Sequence, residues 1–128
     1  MYTHIMVGSN DLARSKRFYD ALFGAIGGKP GMEDGRGRVF YRHSGAVFIV
    51  TRPIDGEPAT HANGGTIGFR AVDPAQVDAW YAAGLAEGGS ATEEPVGPRK
   101  TGLGPAYTGY LRDPDGNKLC MACPMPAA

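Results

Sequence analysis

The sequence predicts an α+β fold in which two βαβββ modules form a curled mixed sheet around a cleft. Three observations predict it: an internal repeat, an amphipathic helix near the start of each half, and a turn between two strands at the end of each half. The chain has 128 residues, of which 42% are hydrophobic, enough to fill one core. We therefore expect residues 1–128 to form a single domain made of two repeats, about 1–54 and 64–124.

The first elements of each half are a short strand and a helix. The segment HIMVGSNDLARSKRFYDALFGAIG, starting at His4, aligns with TIGFRAVDPAQVDAWYAAGLAEGG, starting at Thr66, at a shift of 62 residues. Asp11 and Asp73 then coincide, and each can accept hydrogen bonds from the free amides of a helix start. The apolar residues that follow lie on one helical face. Each half is therefore predicted to pack an amphipathic helix against a sheet.

The last elements of each half are two strands joined by a tight turn. VFYRHSGAVFIVTRP, from Val39, aligns with YLRDPDGNKLCMACP, from Tyr110, at a shift of 71 residues. Gly45 and Gly116 coincide in the two turns, which predicts a hairpin in each half. Because the shift grows between the start and the end of the repeat, the second half is expected to carry a longer loop, roughly 91–109.

Composition and charge restrict the classes of partner. Thirteen basic and thirteen acidic side chains give a formal net charge of zero, which argues against nucleic acid and membrane surfaces and favours a small molecule. No leader-like start and no apolar run of membrane-spanning length occurs, so we expect a cytoplasmic protein. Cys120 and Cys123 would point to opposite faces of a strand, which predicts free thiols.

The helix motif DLARSKRFYDALFG together with YLRDPDGNKL before the last strand resembles the vicinal oxygen chelate superfamily. This superfamily includes glyoxalase I, bleomycin resistance proteins and extradiol dioxygenases, and the resemblance covers nearly the whole chain. It implies a glyoxalase-like domain and a homodimer. It does not imply one reaction, because the members include metal-dependent isomerases, oxygenases and metal-free drug-binding proteins.

The resemblance also indicates where a metal would lie. In metal-using relatives each repeat supplies one ligand from its first strand and one from its last. These positions correspond to His4 and Thr66 on the first strands and to Ile49 and Cys120 on the last. Isoleucine cannot ligate a metal, and His4 and Cys120 leave only two strong ligands, whereas divalent metals require more. We therefore expect no bound metal or other cofactor, with His4 as the first candidate ligand if a divalent metal binds.

Cys120 has three interpretations. It could be an inert packed thiol, since free cysteine is among the most buried residue types. It could be a small semi-polar group that lines a ligand cavity. As a third possibility, His4 faces it across the cleft and acts as a general base, which would make a Cys-His nucleophilic pair.

The long loop predicted in the second half offers further ligand-binding candidates. Arg99, Tyr107 and Tyr110 combine a cation with aromatic rings, as expected where an anionic or aromatic ligand is held. The alternative is that the charges are solvated and the tyrosines cover the sheet.

Three functions remain open at this point. The first is a glyoxalase/bleomycin-resistance-like protein that binds a small molecule in the sheet cleft without the usual metal site. The second is a metal-dependent enzyme with a non-standard metal site, either a lyase or isomerase similar to lactoylglutathione lyase or a dioxygenase. The third is a metal-free enzyme that uses His4 as general base.

Overall fold

Strands and helices alternate as the repeat predicts in the computed structural model, which describes residues 1–126. The predicted α+β fold is confirmed, with two helices and two mixed sheets. The elements in chain order are β1 (Ile5–Gly8), α1 (Leu12–Gly24), β2 (Met32–Glu33), β3 (Arg38–His43), β4 (Ala46–Thr51), β5 (Ile67–Arg70), α2 (Pro74–Ala86), β6 (Ser90–Ala91), β7 (Gly97–Thr101), β8 (Gly104–Arg112) and β9 (Lys118–Pro124).

The two sheets have the same plan and are separate. The first has the order β1-β4-β3-β2, and the second has the order β5-β9-β8 with both β6 and β7 paired to β8. The first strand of each half runs parallel to the last, which pairs Met6 with Ile49 and Gly68 with Cys120. The predicted shift of 62 residues aligns Met6 with Gly68, and the shift of 71 aligns Ile49 with Cys120. The strand register in the two sheets therefore agrees with the repeat alignment.

Both helices begin where the sequence predicts. The Asp11 carboxylate accepts a hydrogen bond of 3.0 Å from the Arg14 amide, and Asp73 caps α2 through the Gln76 amide at 2.9 Å. Pro74 occupies the first turn of α2, where its missing amide hydrogen is not needed. Neither helix among residues 1–126 is long and apolar enough to cross a membrane.

The core lies between the two helices and the sheet faces that they cover. Both helices contact each other, and each packs on the sheet of its own half. Trp80, Tyr19 and Phe18 are fully buried and are the largest side chains in this core. Because the helices cover one face of each sheet, the opposite faces remain open to form binding surfaces.

The Asp-Pro-Asp-Gly-Asn turn joins the two halves. Tyr19 of α1 donates a 2.6 Å hydrogen bond to the Asp113 carboxylate, which also accepts from the Asn117 side chain at 2.8 Å. The same Asn117 amide donates to the Gly8 carbonyl at 3.1 Å, and Asp115 accepts hydrogen bonds from the first turn of α1. The motif is therefore a structural link between the repeats, with its polar groups paired in the core.

The long loop predicted at about 91–109 is wrong for most of that range. It contains the whole of β7 and the first half of β8, which pair as an antiparallel hairpin. The growing shift between the repeats correctly indicated extra residues in the second half, but these residues form strand structure. Within residues 1–126, β7 pairs with β8 alone, and such an edge strand tolerates Pro98. Arg99 and Tyr107 consequently lie on strands, and strand alternation determines which way each side chain points.

Candidate functional site

The open face of the second sheet carries a cavity of about 510 Å³. Leu111 of β8 and Leu119 and Met121 of β9 point into the core. Side chains alternate along a strand, so the adjacent Tyr110 and Cys120 point to the open face. The residues that line the cavity include Thr66, just before β5, and Gly68, Thr108, Tyr110, Cys120 and Ala122 of the sheet. All lie in the second half of the chain.

Small side chains leave this cavity its volume. A methyl group placed on Gly68 would have no atom within 4 Å, so the glycine leaves open space at the middle of β5. Its neighbour on β9 is Cys120, which is 7% exposed, and next to that on β8 is Tyr110. The cavity therefore combines a largely apolar lining with the aromatic ring of Tyr110, a common composition of small-molecule sites.

A group of charged side chains surrounds the Tyr110 ring, and we call Glu93, Arg99, Tyr110 and Lys118 the Tyr110 cluster. The Arg99 guanidinium carbon lies 4.8 Å from the ring centroid, and Lys118 Nζ lies 5.5 Å from it. Glu93 bridges the two cations: Oε1 lies 2.8 Å from Arg99 Nη2, and Oε2 pairs with Lys118 Nζ. Three different strands and the β6–β7 loop thus converge on one aromatic ring.

The charges of the Tyr110 cluster do not balance. Two cations face one carboxylate, and hydrogen bonds from Lys118 and Arg99 lower the pKa of Glu93 below its ordinary value. The hydrogen bond to Glu93 raises the pKa of Arg99 in return. The Arg99 Nη1 atom is buried and has no hydrogen-bond partner among the described residues. The four residues of the cluster therefore carry one more positive than negative charge, with Glu94 as a further acidic group that acts on Arg99.

Cys120 lies beside this cluster as a protonated thiol. Burial raises its pKa, and the opposing hydrogen bond with Tyr110 and the nearby cations do not offset that effect. His4 does not line the cavity that contains Cys120. Cys123 points to the other side of β9 and packs in the core, so the two side chains lie on opposite faces as strand alternation predicts, and both cysteines are free.

The other predicted site residues are distributed over both sheets. His4 is exposed ahead of β1, with its Nδ1 atom 2.8 Å from the Thr3 hydroxyl, and Ile49 is buried in β4 of the first sheet. Neither lines the cavity that contains Thr66 and Cys120. Tyr107 lies on the opposite face of β8, where its hydroxyl donates a 2.7 Å hydrogen bond to Asp78 of α2. The structure therefore brings together Thr66, Cys120, Tyr110 and Arg99 and leaves the other three predicted residues apart.

Two residues of the cluster were missed by sequence reasoning. Lys118 could have been found, because it precedes Cys120 by two positions on the same strand and so shares its face. Glu93 could not have been found in this way, because it lies in the loop between β6 and β7, and the path of a loop does not follow from a periodic sequence pattern.

The site has few groups able to hold a metal. Among residues 1–126, no group of three or more His, Cys, Asp or Glu side chains is placed to hold a metal ion. In the cavity, Thr66 offers a neutral hydroxyl and Cys120 a thiol whose raised pKa disfavours the thiolate that ligates metals. This donor set does not fit the oxygen-rich or imidazole-rich coordination that divalent metals require.

Comparison with known proteins agrees with the fold. The family described as glyoxalase/bleomycin resistance protein/dioxygenase superfamily matches residues 2–121. A crystal structure of a glyoxalase/bleomycin resistance protein from Albidiferax ferrireducens T118 is 53% identical, with a TM-score of 0.92 over 96% of this chain and 98% of that one. None of the curated proteins matches the chain significantly.

Two more distant structures share the fold alone. A glyoxalase-related enzyme from Fulvimarina pelagi is 22% identical with a TM-score of 0.72, over 96% of this chain and 88% of that one. A glyoxalase/bleomycin resistance protein/dioxygenase family enzyme from Burkholderia phytofirmans PsJN is 15% identical with a TM-score of 0.71, over 96% and 98% of the two chains.

Proposed function

Because the chain belongs to the glyoxalase/bleomycin resistance protein/dioxygenase superfamily, we propose that it binds a small organic molecule on the open face of its second sheet. The observation that carries this proposal is the cavity of about 510 Å³ with the Tyr110 cluster at its border. Pockets of a few hundred cubic ångströms with an apolar lining and a few placed polar groups suit small-molecule ligands.

We further propose that binding requires no metal. The positions that hold ligands in metal-using relatives are here His4, Ile49, Thr66 and Cys120, and the two within the cavity supply a hydroxyl and a protonated thiol. Binding would then rest on the cations, the Tyr110 ring and the apolar lining.

The cellular setting and the assembly are also proposals. Two free cysteines suit a reducing compartment, so we infer that the protein acts in the cytoplasm. We infer a homodimer as well, because the first sheet leaves an open face on which Met6 is 43% exposed. A homodimer would bury such a face.

The test is a ligand-induced shift in melting temperature on protein treated with a chelator. The panel contains small aromatic acids, aromatic amines and neutral aromatic compounds. We expect at least one class to raise the melting temperature, with the shift lost in Gly68→Leu, which would fill the cavity. The matched control is Gly24→Leu, because Gly24 is exposed outside the cavity and also has open space around it.

The other two functions predict different results. Stabilisation that requires added manganese, zinc or ferrous iron would support a metal-dependent lyase or dioxygenase and overturn the proposal. Turnover of a bound compound that is lost in His4→Ala would support the metal-free enzyme with His4 as general base. A shift that persists in Gly68→Leu would place the binding site elsewhere.

A further inference from the structure

The geometry points to a carboxylate subsite in the Tyr110 cluster, which Glu93 fills in the free protein and which the carboxylate of an aromatic-acid ligand takes over. This inference rests on the proposed function, since it names the chemical class of the molecule bound in the same cavity. It assigns Glu93 the role of an internal substitute for the ligand.

The cluster needs an anion at this point. Arg99 of β7 and Lys118 of β9 approach the ring of Tyr110 on the intervening strand β8, at 4.8 and 5.5 Å from the centroid. Two like charges gathered over the same ring repel each other unless a counter-charge lies between them. Glu93 supplies that charge with both of its carboxylate oxygens, one to each cation. The occupied position is thus shaped for a planar group with two oxygens.

Glu93 satisfies this position only in part. It engages Arg99 through Nη2 alone, while Nη1 stays buried without a partner among the described residues. A guanidinium is a planar fork that binds a carboxylate best through two parallel hydrogen bonds. A ligand carboxylate free of the backbone constraint can turn both of its oxygens to the guanidinium, whereas Glu93 divides its two oxygens between Arg99 and Lys118.

Glu93 is also placed so that it can leave. It lies in the loop between β6 and β7 with a backbone φ of 57°, in the left-handed region that is unfavourable for residues other than glycine. Its side chain is 27% exposed, so water can hydrate the carboxylate once it swings out. The strain favours release of the loop when another anion replaces the side chain.

The body of the ligand follows from the adjoining cavity. Tyr110 belongs to both the cluster and the cavity lining, so a carboxylate held by Arg99 and Lys118 would leave its attached group over Cys120 and Ala122. These residues offer small apolar surfaces beside the open space at Gly68. A flat ring attached to the carboxylate fits that arrangement, which is the reason for choosing aromatic acids as the class.

The experiment measures binding of benzoate and of its neutral analogue benzamide by isothermal titration calorimetry. We expect wild-type protein to prefer benzoate. Glu93→Gln should bind benzoate about two- to fivefold more tightly, because it removes a competing exposed ion pair. Arg99→Met and Lys118→Met should each weaken benzoate binding by about tenfold or more, as expected for loss of a charge-assisted hydrogen bond. Glu87→Gln, at the end of α2, is the matched control and should change nothing.

Equal affinity of wild-type protein and Glu93→Gln for benzoate would overturn the role of Glu93. Equal binding of benzamide and benzoate by every variant would overturn the carboxylate subsite and leave the proposed small-molecule function standing. If neither compound binds to the wild-type protein, the assignment of aromatic acids as the ligand class is overturned. The proposed small-molecule function is then tested separately by the melting-temperature panel, because that panel also contains amines and neutral compounds. Melting temperatures of all variants establish that they are folded.

Discussion

At the scale of single residues, Tyr19 shows how one buried side chain holds the two repeats together. It is fully buried in α1 of the first half, yet its hydroxyl reaches the Asp113 carboxylate in the second half at 2.6 Å. Burial and the adjacent Asp113 raise the pKa of Tyr19 well above its ordinary value. The phenol therefore stays protonated and remains a donor to the carboxylate.

We expect Tyr19→Phe to lower the free energy of unfolding by about 1–3 kcal/mol, because a buried carboxylate loses one of its donors. Urea denaturation measures the change. Tyr107→Phe is the matched control, since it removes a hydrogen bond of similar length, 2.7 Å, to an exposed aspartate on the surface of α2. Equal losses in the two variants would contradict a special role for the buried link.

The raised pKa of Cys120 gives a second prediction for a single residue. In a Cys123→Ser background, which leaves one thiol, alkylation by iodoacetamide should be slower at neutral pH than for an unfolded control peptide. The rate should rise as the pH passes above the ordinary range of a cysteine, because only the thiolate reacts. Mass spectrometry follows the modification. Rapid alkylation at neutral pH would instead support the activated Cys-His pair.

The positions of the predicted site residues could be foreseen only where the local structure was predicted correctly. Cys120 and Tyr110 lie on strands that the hairpin pattern predicted, and both line the cavity. Tyr107 and Tyr110 are three positions apart, so on a strand they must face opposite sides. Assigning Tyr107 to a loop concealed this alternation, and only the pairing of β7 with β8 reveals that Tyr107 faces α2.

At the scale of the elements, α2 approaches the second sheet so closely that one helix position has room only for glycine. A methyl group on Gly84 would collide with the side chain of Leu111 in β8 and come close to Leu22 of α1. We expect Gly84→Ala to destabilise the protein by about 1–3 kcal/mol through overpacking, despite the higher helix propensity of alanine.

Thermal and urea denaturation check this prediction against Gly24→Ala. Gly24 ends α1 and has open space where the methyl group would lie, so this variant should be neutral or more stable by up to about 1 kcal/mol. If Gly84→Ala were as stable as Gly24→Ala, the close contact between helix and sheet would be disproved.

The ion pairs between the β6–β7 loop and the strands β7 and β9 should depend on pH. The lowered pKa of Glu93 means that these pairs contribute stability above the ordinary glutamate pKa, and that the contribution is lost as the pH falls through the lowered value. Carbon-detected NMR titration of the Glu93 carboxyl measures it. In Lys118→Met the pKa should move up toward the ordinary glutamate range, and an unchanged value would contradict the pairing.

The elements themselves were largely predictable, because local chemistry determines them. Asp11 and Asp73 cap the helices as expected, and the Ser44-Gly45 turn adopts positive φ angles of 49° and 79° between β3 and β4. The strand β7 was not predictable, because Pro98 is compatible with strand structure only at a sheet edge, and edge position is a property of the tertiary fold.

At the scale of the whole molecule, each sheet has one face that no helix covers. The cavity described above is lined by the second half of the chain, and the first sheet contributes no residue to it. The register of β1 with β4 and of β5 with β9 follows from the repeat, but the placement of the two modules follows from packing between the helices. For this reason the sequence predicted equivalent positions in the two repeats correctly but could not predict that His4 and Ile49 would lie apart from the cavity.

The proposed homodimer makes a prediction at this scale. Sedimentation equilibrium should give twice the chain mass of 13.5 kDa at micromolar concentration. Met6→Lys, which would place a charge on the exposed face of the first sheet, should weaken the dimer, whereas Val72→Lys, an exposed substitution outside the sheets, should not. A mass of one chain throughout would contradict the dimer.

Chemical-shift mapping of the backbone amides by NMR directly tests whether a small molecule binds the open face of the second sheet without a metal. The sample is chelator-treated protein titrated with the panel compound that raises the melting temperature most. We predict that the changes cluster at Gly68, Thr108, Tyr110 and Cys120. Changes confined to the first sheet would show that the ligand binds elsewhere, and changes that appear only after a divalent metal is added would show that binding requires a metal.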